Sequence, residues 1–131
     1  MKIKVTEGLP FVTVTLVYQG KQLTIENVLL DTGSAGSIFS IDQVDALNLL
    51  PEPTDKIEQV RGVGGIEYVF TKRIDLLRLG SLEVLDFEIE VGAMKYGFDI
   101  DGIIGLDFLM QTKAIVDLST FKIYSTDEQK S

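Results

Sequence analysis

The chain has 131 residues, 45% hydrophobic and 24% charged, a globular composition long enough to bury a core. It has no Cys and no His, which excludes disulfides, thiol nucleophiles, Cys/His zinc sites and any hydrolytic triad with His as base. With a net charge of −8 and scattered Lys and Arg, nucleic-acid binding is not expected, because it needs basic groups gathered against phosphates.

No window approaches the roughly 18 apolar residues of a membrane span. Residues 1–7, Met-Lys-Ile-Lys-Val-Thr-Glu, lack the apolar core of a signal peptide, so a cytoplasmic location is expected. Residues 11–18 are dense in β-branched and aromatic types and read as a strand. Gln19-Gly20-Lys21 turns the chain into a second strand over residues 22–30. That hairpin ends by delivering a lone carboxylate to a small-residue turn, Asp31-Thr32-Gly33-Ser34. Ser40 and Gln43 have capping-box spacing, Val44, Leu47, Leu49 and Leu50 give an apolar face, and Pro51 and Pro53 stop it. A short helix is therefore predicted from 41 to 48.

Residues 56–79 read as a long hairpin with Arg61-Gly62-Val63-Gly64-Gly65 at its tip, where the glycines permit positive φ. The tip is not a phosphate loop, since no Lys-Ser or Lys-Thr follows it. Residues 76–79 and 84–91 form another hairpin around Gly80-Ser81; Phe87, Ile89 and Val91 alternate with Glu88 and Glu90, giving one wet face. A loop over 94–98 leads to Asp101-Gly102-Ile103-Ile104-Gly105-Leu106, then to one or two helical turns over 108–111. A last hairpin joins 114–118 to 121–124 around Ser119-Thr120, and the polar tail after Ser125 is expected to fray. An apolar run, Asp, Gly and a short helix occur at Asp31 and again at Asp101, a faint internal echo. The expectation is a mainly β domain spanning 1–131, a small closed barrel with one or two short helices.

Hydrolysis without His or Cys can run on two carboxylates sharing a proton. The ionised one takes a proton from water while the protonated one polarises the carbonyl. Two adjacent carboxylates cannot both ionise comfortably, so their titrations split and belong to the pair. Gly33 lets the turn pass close to a partner and to substrate. Ser34 is placed to hydrogen-bond the carboxylate and lower its pKa.

Asp31-Thr32-Gly33 resembles the catalytic triplet of the retropepsin-like aspartic proteases, in their single-domain bacterial or cellular form. Gly102, Ile103, Ile104 and Gly105 resemble the loop that braces that triplet, and Val63, Gly64 and Gly65 stand where the family has its flap. The resemblance spans residues 12–124. It implies an acid-protease barrel working as a symmetric homodimer, with Asp31 and its symmetry mate as the dyad and the Thr32 hydroxyls interlocked across the twofold axis. It also implies flap closure over an extended polypeptide substrate, water as nucleophile, and no metal or cofactor. Where many viral members pair an acidic residue with an Arg, this chain has Ala35 and Leu106, so no buried charge is stranded. Ser34, where viral members have Ala, suggests an optimum more acidic than theirs.

Other readings stand beside this one. Asp31 could be an ordinary turn residue, and the chain a binding or assembly module that keeps the fold without catalysis. Asp101 reads as a cap of the turn at Gly102 rather than a second catalytic carboxylate, because no Thr or Ser follows it. Asp107 reads as a helix-start or solvated residue and Asp117 as a turn residue. The terminal segments 3–5 and 123–124 could pair across an interface. The chain could also be part of a larger polyprotein.

Overall fold

Runs of β-branched and alternating apolar residues set out the longer strands. The computed structural model describes residues 1–62, 65–94 and 99–126. In chain order they form β1 (Lys4–Thr6), β2 (Leu9–Tyr18), β3 (Lys21–Leu30), β4 (Ile38–Ser40) and α1 (Ile41–Val44), which runs on as a 3-10 turn, Asp45–Leu47. Then come β5 (Ile57–Gly62), β6 (Gly65–Leu79), β7 (Leu82–Gly92), β8 (Gly102–Ile104), α2 (Leu106–Gln111), β9 (Ala114–Asp117) and β10 (Lys122–Ser125). The fold is mainly β with short helices, as expected. Gln19 and Gly20 both take positive φ, 50° and 81°, the two-residue turn whose twist suits a hairpin.

Eight strands form one sheet in the order β1-β2-β3-β8-β4-β7-β6-β5. β6 also pairs with β2, Leu16 opposite Leu77, so the sheet turns back on itself as a partial ring. Inside it Val12, Val14 and Leu16 of β2, Ile25, Val28 and Leu30 of β3, and Ile89 and Val91 of β7 alternate into one core. α2 closes it with Phe108, whose ring meets Phe87 edge to face at 5.9 Å.

A second apolar cluster lies on the other face: Ile38, Val69, Met94 and Ile100, with Phe11, Leu29 and Ile103 against it. Cross-strand partners share a face. Pairing Phe11 with Leu29, Leu29 with Ile103, Ile103 with Ile38, and Ile38 with Glu90 makes a single row across five strands. The row is apolar for four strands and ends on a carboxylate.

The structure differs from expectation in three places. The capping box does not form: Ser40 ends β4, makes no side-chain cap, and gives its N–H to the Asp101 carbonyl at 2.9 Å. Asn48 in the left-handed region (φ 57°) ends the helical segment, ahead of the prolines. The terminal segments pair within the chain: Ile3 N–H donates to the Phe121 carbonyl (2.8 Å) and Ile123 N–H to the Met1 carbonyl (2.9 Å), burying Ile3 and Ile123. Buried Lys72 on β6 ties down the segment before β5 through Glu52 (2.7 Å) and Asp55 (3.0 Å).

Candidate active site

β3 puts Val28 and Leu30 into the core and leaves Leu29 on the second-cluster face. Beside it β8 runs parallel, Val28 with Gly102, Leu29 with Ile103 and Leu30 with Ile104. One residue on, the Asp31 N–H donates to the Ile104 carbonyl at 3.0 Å, so the backbone of Asp31 is pinned where β3 ends. The Asp31 carboxylate accepts the Gly33 N–H at 2.8 Å, and Ser34 N–H closes the turn on the Asp31 carbonyl at 3.2 Å. Asp31 is half-buried, while Thr32 and Gly33 are exposed. The Ser34 hydroxyl does not turn to the carboxylate as expected; it donates to the Gly36 carbonyl at 2.8 Å. A backbone acceptor two residues on is nearer to hand, and the bond tightens the turn internally.

The loop after β8 meets this turn atom for atom. Leu106 N–H donates to the Ser34 carbonyl at 2.8 Å, and Gly105 N–H to the Ser37 hydroxyl at 3.0 Å. A Cβ on Gly105 would lie 2.7 Å from the Ser34 carbonyl oxygen, so only glycine fits. A Cβ on Gly102 would lie 2.6 Å from the buried ring of Phe39. Ile104 and Gly105 thus lie against the Asp31 turn, while Gly102 and Ile103 pair with Val28 and Leu29 of the strand that leads to it.

One contributor has no mark of this role in the sequence. Asp107 does stand in the first turn of α2, but its carboxylate also accepts the Ser37 N–H (3.1 Å) and the Ser37 hydroxyl (2.8 Å). No local pattern marks this pair, since the partners are 70 residues apart. Asp101 lies elsewhere. Its N–H donates to the Asn27 carbonyl, its carboxylate accepts from Asn27 Nδ2 at 3.4 Å, and it sits at the end of β8 remote from Asp31. Its expected turn-capping contact is replaced by this cross-strand one. Asp117, expected in a turn, ends β9 and caps the turn that follows, its pKa lowered by hydrogen bonds from Ser119 and Thr120.

Of the glycine-rich tip, Val63 and Gly64 lie outside the described residues, and Gly65 pairs with Gly62 where the hairpin narrows. Two cavities open on the surface, and the larger of the two borders the second apolar cluster at Phe11. One of about 980 Å³ has Leu9, Phe11 and Asp99 in its wall, and one of about 510 Å³ has Ser37, Glu58, Glu90 and Asp107. Burial, and then Glu58, Asp107 and Glu88, push the Glu90 carboxyl above the usual range.

The turn that exposes Asp31 and the loop that braces it both fall within residues 12–108, which match the family model described as aspartyl protease. The match covers most of the chain, and the chain belongs to this family, of retropepsin-like type. No curated protein matches it in sequence. Among the described residues no helix is long and apolar enough to cross a membrane.

Proposed function

We propose that the protein is an aspartic endopeptidase in which Asp31 of two identical chains forms the catalytic dyad. The observation that carries this reading is the pinned, outward-facing Asp31 turn inside the family match. Each chain offers one such carboxylate, and water activation with carbonyl polarisation needs two, one ionised and one protonated. The nucleophile is water, there is no covalent intermediate, and no metal or cofactor takes part. Thr32, exposed beside Asp31, is available to interlock with its twin. Apolar side chains near the turn support a twofold partner: Leu106, bonded to Ser34 through its backbone, and Met110 one turn along α2 are both exposed.

In this reading residues 1–131 are one domain, the partial ring is the family's barrel, and Val63, Gly64 and Gly65 cap the cleft as its flap. The substrate is an extended polypeptide. Leu29 is two residues from Asp31 on one face of β3, so the row Phe11, Leu29, Ile103, Ile38 favours apolar side chains beside the scissile bond. Statine-type inhibitors, which mimic the tetrahedral intermediate, bind the dimer. The acid-shifted optimum expected from Ser34 loses its basis, because that hydroxyl serves Gly36.

Light scattering on the eluting protein, with a pH series of cleavage on an unstructured substrate, tests the proposal. A dimer whose cleavage is lost in Asp31→Asn supports it. A dimer whose Asp31→Asn variant cleaves as well as wild type overturns it, and a folded dimer without cleavage at any pH favours a binding module.

A further inference from the structure

The turn that presents Asp31 is followed by Ser37, a residue 1% exposed. Its hydroxyl accepts the Gly105 N–H, so its own proton is free for Asp107 Oδ1, and its N–H goes to Asp107 Oδ2. Oδ1 also accepts the Phe108 N–H at 2.8 Å. Three donors converge on this one side chain, which calls for a carboxylate. An amide in its place would bring an NH₂ up against an N–H or a hydroxyl donor.

A second carboxyl stands behind the same turn. Glu90 gives its N–H to the Ser37 carbonyl at 2.9 Å and is in register with Ile38. Its side chain is half-buried where Gly36 has none; a Cβ at Gly36 would collide with the Glu90 carboxylate. The charged groups around it are Glu58 of β5 and Lys56 just before it, Arg73 of β6, Asp86 and Glu88 of β7, and Asp107 of α2. The cations are committed elsewhere, Lys56 to Glu58 at 3.0 Å and Arg73 to Asp86 and Glu88 at 3.7 and 3.8 Å. Among the described residues no ion pair neutralises Glu90, which shares its cavity wall with Asp107.

We propose that Asp107 is a positioning residue for the Asp31 turn, acting through Ser37, and that the charge on Glu90 sets how firmly the turn is held. Protonated, Glu90 leaves the Asp107 network undisturbed. Ionised, it sets a second negative charge behind Gly36, against the carboxylate that holds Ser37. The burial and neighbouring carboxylates that raise its pKa make this change fall at milder acidity than for an ordinary Glu. The catalytic meaning rests on the protease reading; the linkage itself does not.

Amide hydrogen exchange tests the linkage without needing catalysis. Protection factors of Ser37 and Gly105, corrected for intrinsic rates, would be followed from about pH 4 to pH 8. In wild type they fall as Glu90 ionises; in Glu90→Gln they stay flat. In Asp107→Asn, loss of a charge-assisted hydrogen bond lowers them about tenfold or more at every pH, while the amides of Leu16 and Ile25 in the core strands keep theirs. A wild-type profile that is flat, or that Glu90→Gln reproduces, overturns the role of Glu90. Unchanged Ser37 protection in Asp107→Asn overturns that of Asp107. If the protein cleaves peptides, Glu90→Gln also extends its kcat–pH profile toward higher pH with KM unchanged.

Discussion

Asp31 and Asp101 each follow an apolar residue and stand one or two places before a glycine, yet the fold treats them oppositely. Because β3 and β8 run parallel with Leu30 beside Ile104, the backbone neighbour of Asp31 is Gly105, not Asp101. Asp31 leaves the sheet into a turn whose carboxylate, among the described residues, takes only a local N–H. Asp101 enters the sheet, with N–H and carbonyl both used by neighbouring strands. Resemblance in sequence is therefore offset from equivalence in space by four residues, and a carboxylate's use depends on which end of its strand it occupies.

The largest effect should come from Asp31→Asn, which keeps the Gly33 contact but removes the acid–base function. Cleavage should drop at least about 10³-fold with an unchanged melting temperature. Steady-state kinetics beside a thermal melt would check this, and residual activity within tenfold of wild type would dissolve the contrast between the two aspartates.

Next in size is the residue that faces Asp31 in register. Gly105→Ala drives a Cβ into the backbone of Ser34 and Gly36, which cannot swing aside. Overpacking of this kind costs about 1–3 kcal/mol. Gly102→Ala meets the Phe39 ring instead and should cost a similar amount. The two differ in consequence: alanine at 105 displaces the Asp31 turn and lowers kcat beyond the lost stability, and alanine at 102 does not. Denaturant melts with kcat on the folded fraction would separate them.

Much of this contrast was legible before the fold was seen. Hairpins are local: β-branched runs broken by Gln19-Gly20 or Gly80-Ser81 specify their own pairing, and the Asp31 turn is marked by its neighbours. The loop at Gly102 to Gly105 stood out as a second motif for the same reason. The Ser37–Asp107 brace had no such signal, because it joins two ordinary polar residues far apart in sequence. Ser34 and Ser40 misled in the opposite way. Each had a side-chain partner by pattern, but backbone carbonyls took the hydrogen bonds instead: Gly36 within the turn for the Ser34 hydroxyl, and Asp101 from across the sheet for the Ser40 N–H. The strand β1 was missed because three exposed residues carry no alternation; only Glu7-Gly8, both at positive φ, marks its turn. The pairing of the terminal segments within the chain has no mark in the sequence, which cannot tell a chain's own edge from a partner's.

A smaller effect tests the surroundings of the Asp31 turn. Glu90 has its folded-state pKa raised, so its contribution to stability is full below the unfolded value and is lost as pH rises through the folded one. Glu90→Gln never ionises. It should therefore be more stable than wild type at neutral pH, by about 1 kcal/mol or less after allowance for solvent screening of a partly exposed group, and the gain should vanish in acid. Melts at several pH values would show the two curves converging downward in pH; curves converging upward would give the wrong sign for a carboxyl held above its ordinary range.

The smallest expected change is the most discriminating. Asp101→Asn alters a carboxylate whose only side-chain contact among the described residues is a long hydrogen bond from Asn27, 3.4 Å and solvent-exposed. Exposed polar substitutions of this kind move stability by about 0.5 kcal/mol or less. The backbone bonds of Asp101 to Asn27 and Ser40 survive any side chain. If each chain supplies one carboxylate, cleavage by Asp101→Asn stays within about twofold of wild type, a free-energy change under the 1.4 kcal/mol that a tenfold loss requires. If it falls as far as Asp31→Asn does, with the fold intact, the dyad lies within one chain and the need for a second copy disappears. The geometry weighs against that outcome, because three residue pairs of parallel register separate Asp101 from the Asp31 turn. At about 3.3 Å per residue along a strand, that span puts the two carboxylates beyond the distance over which they could share a proton.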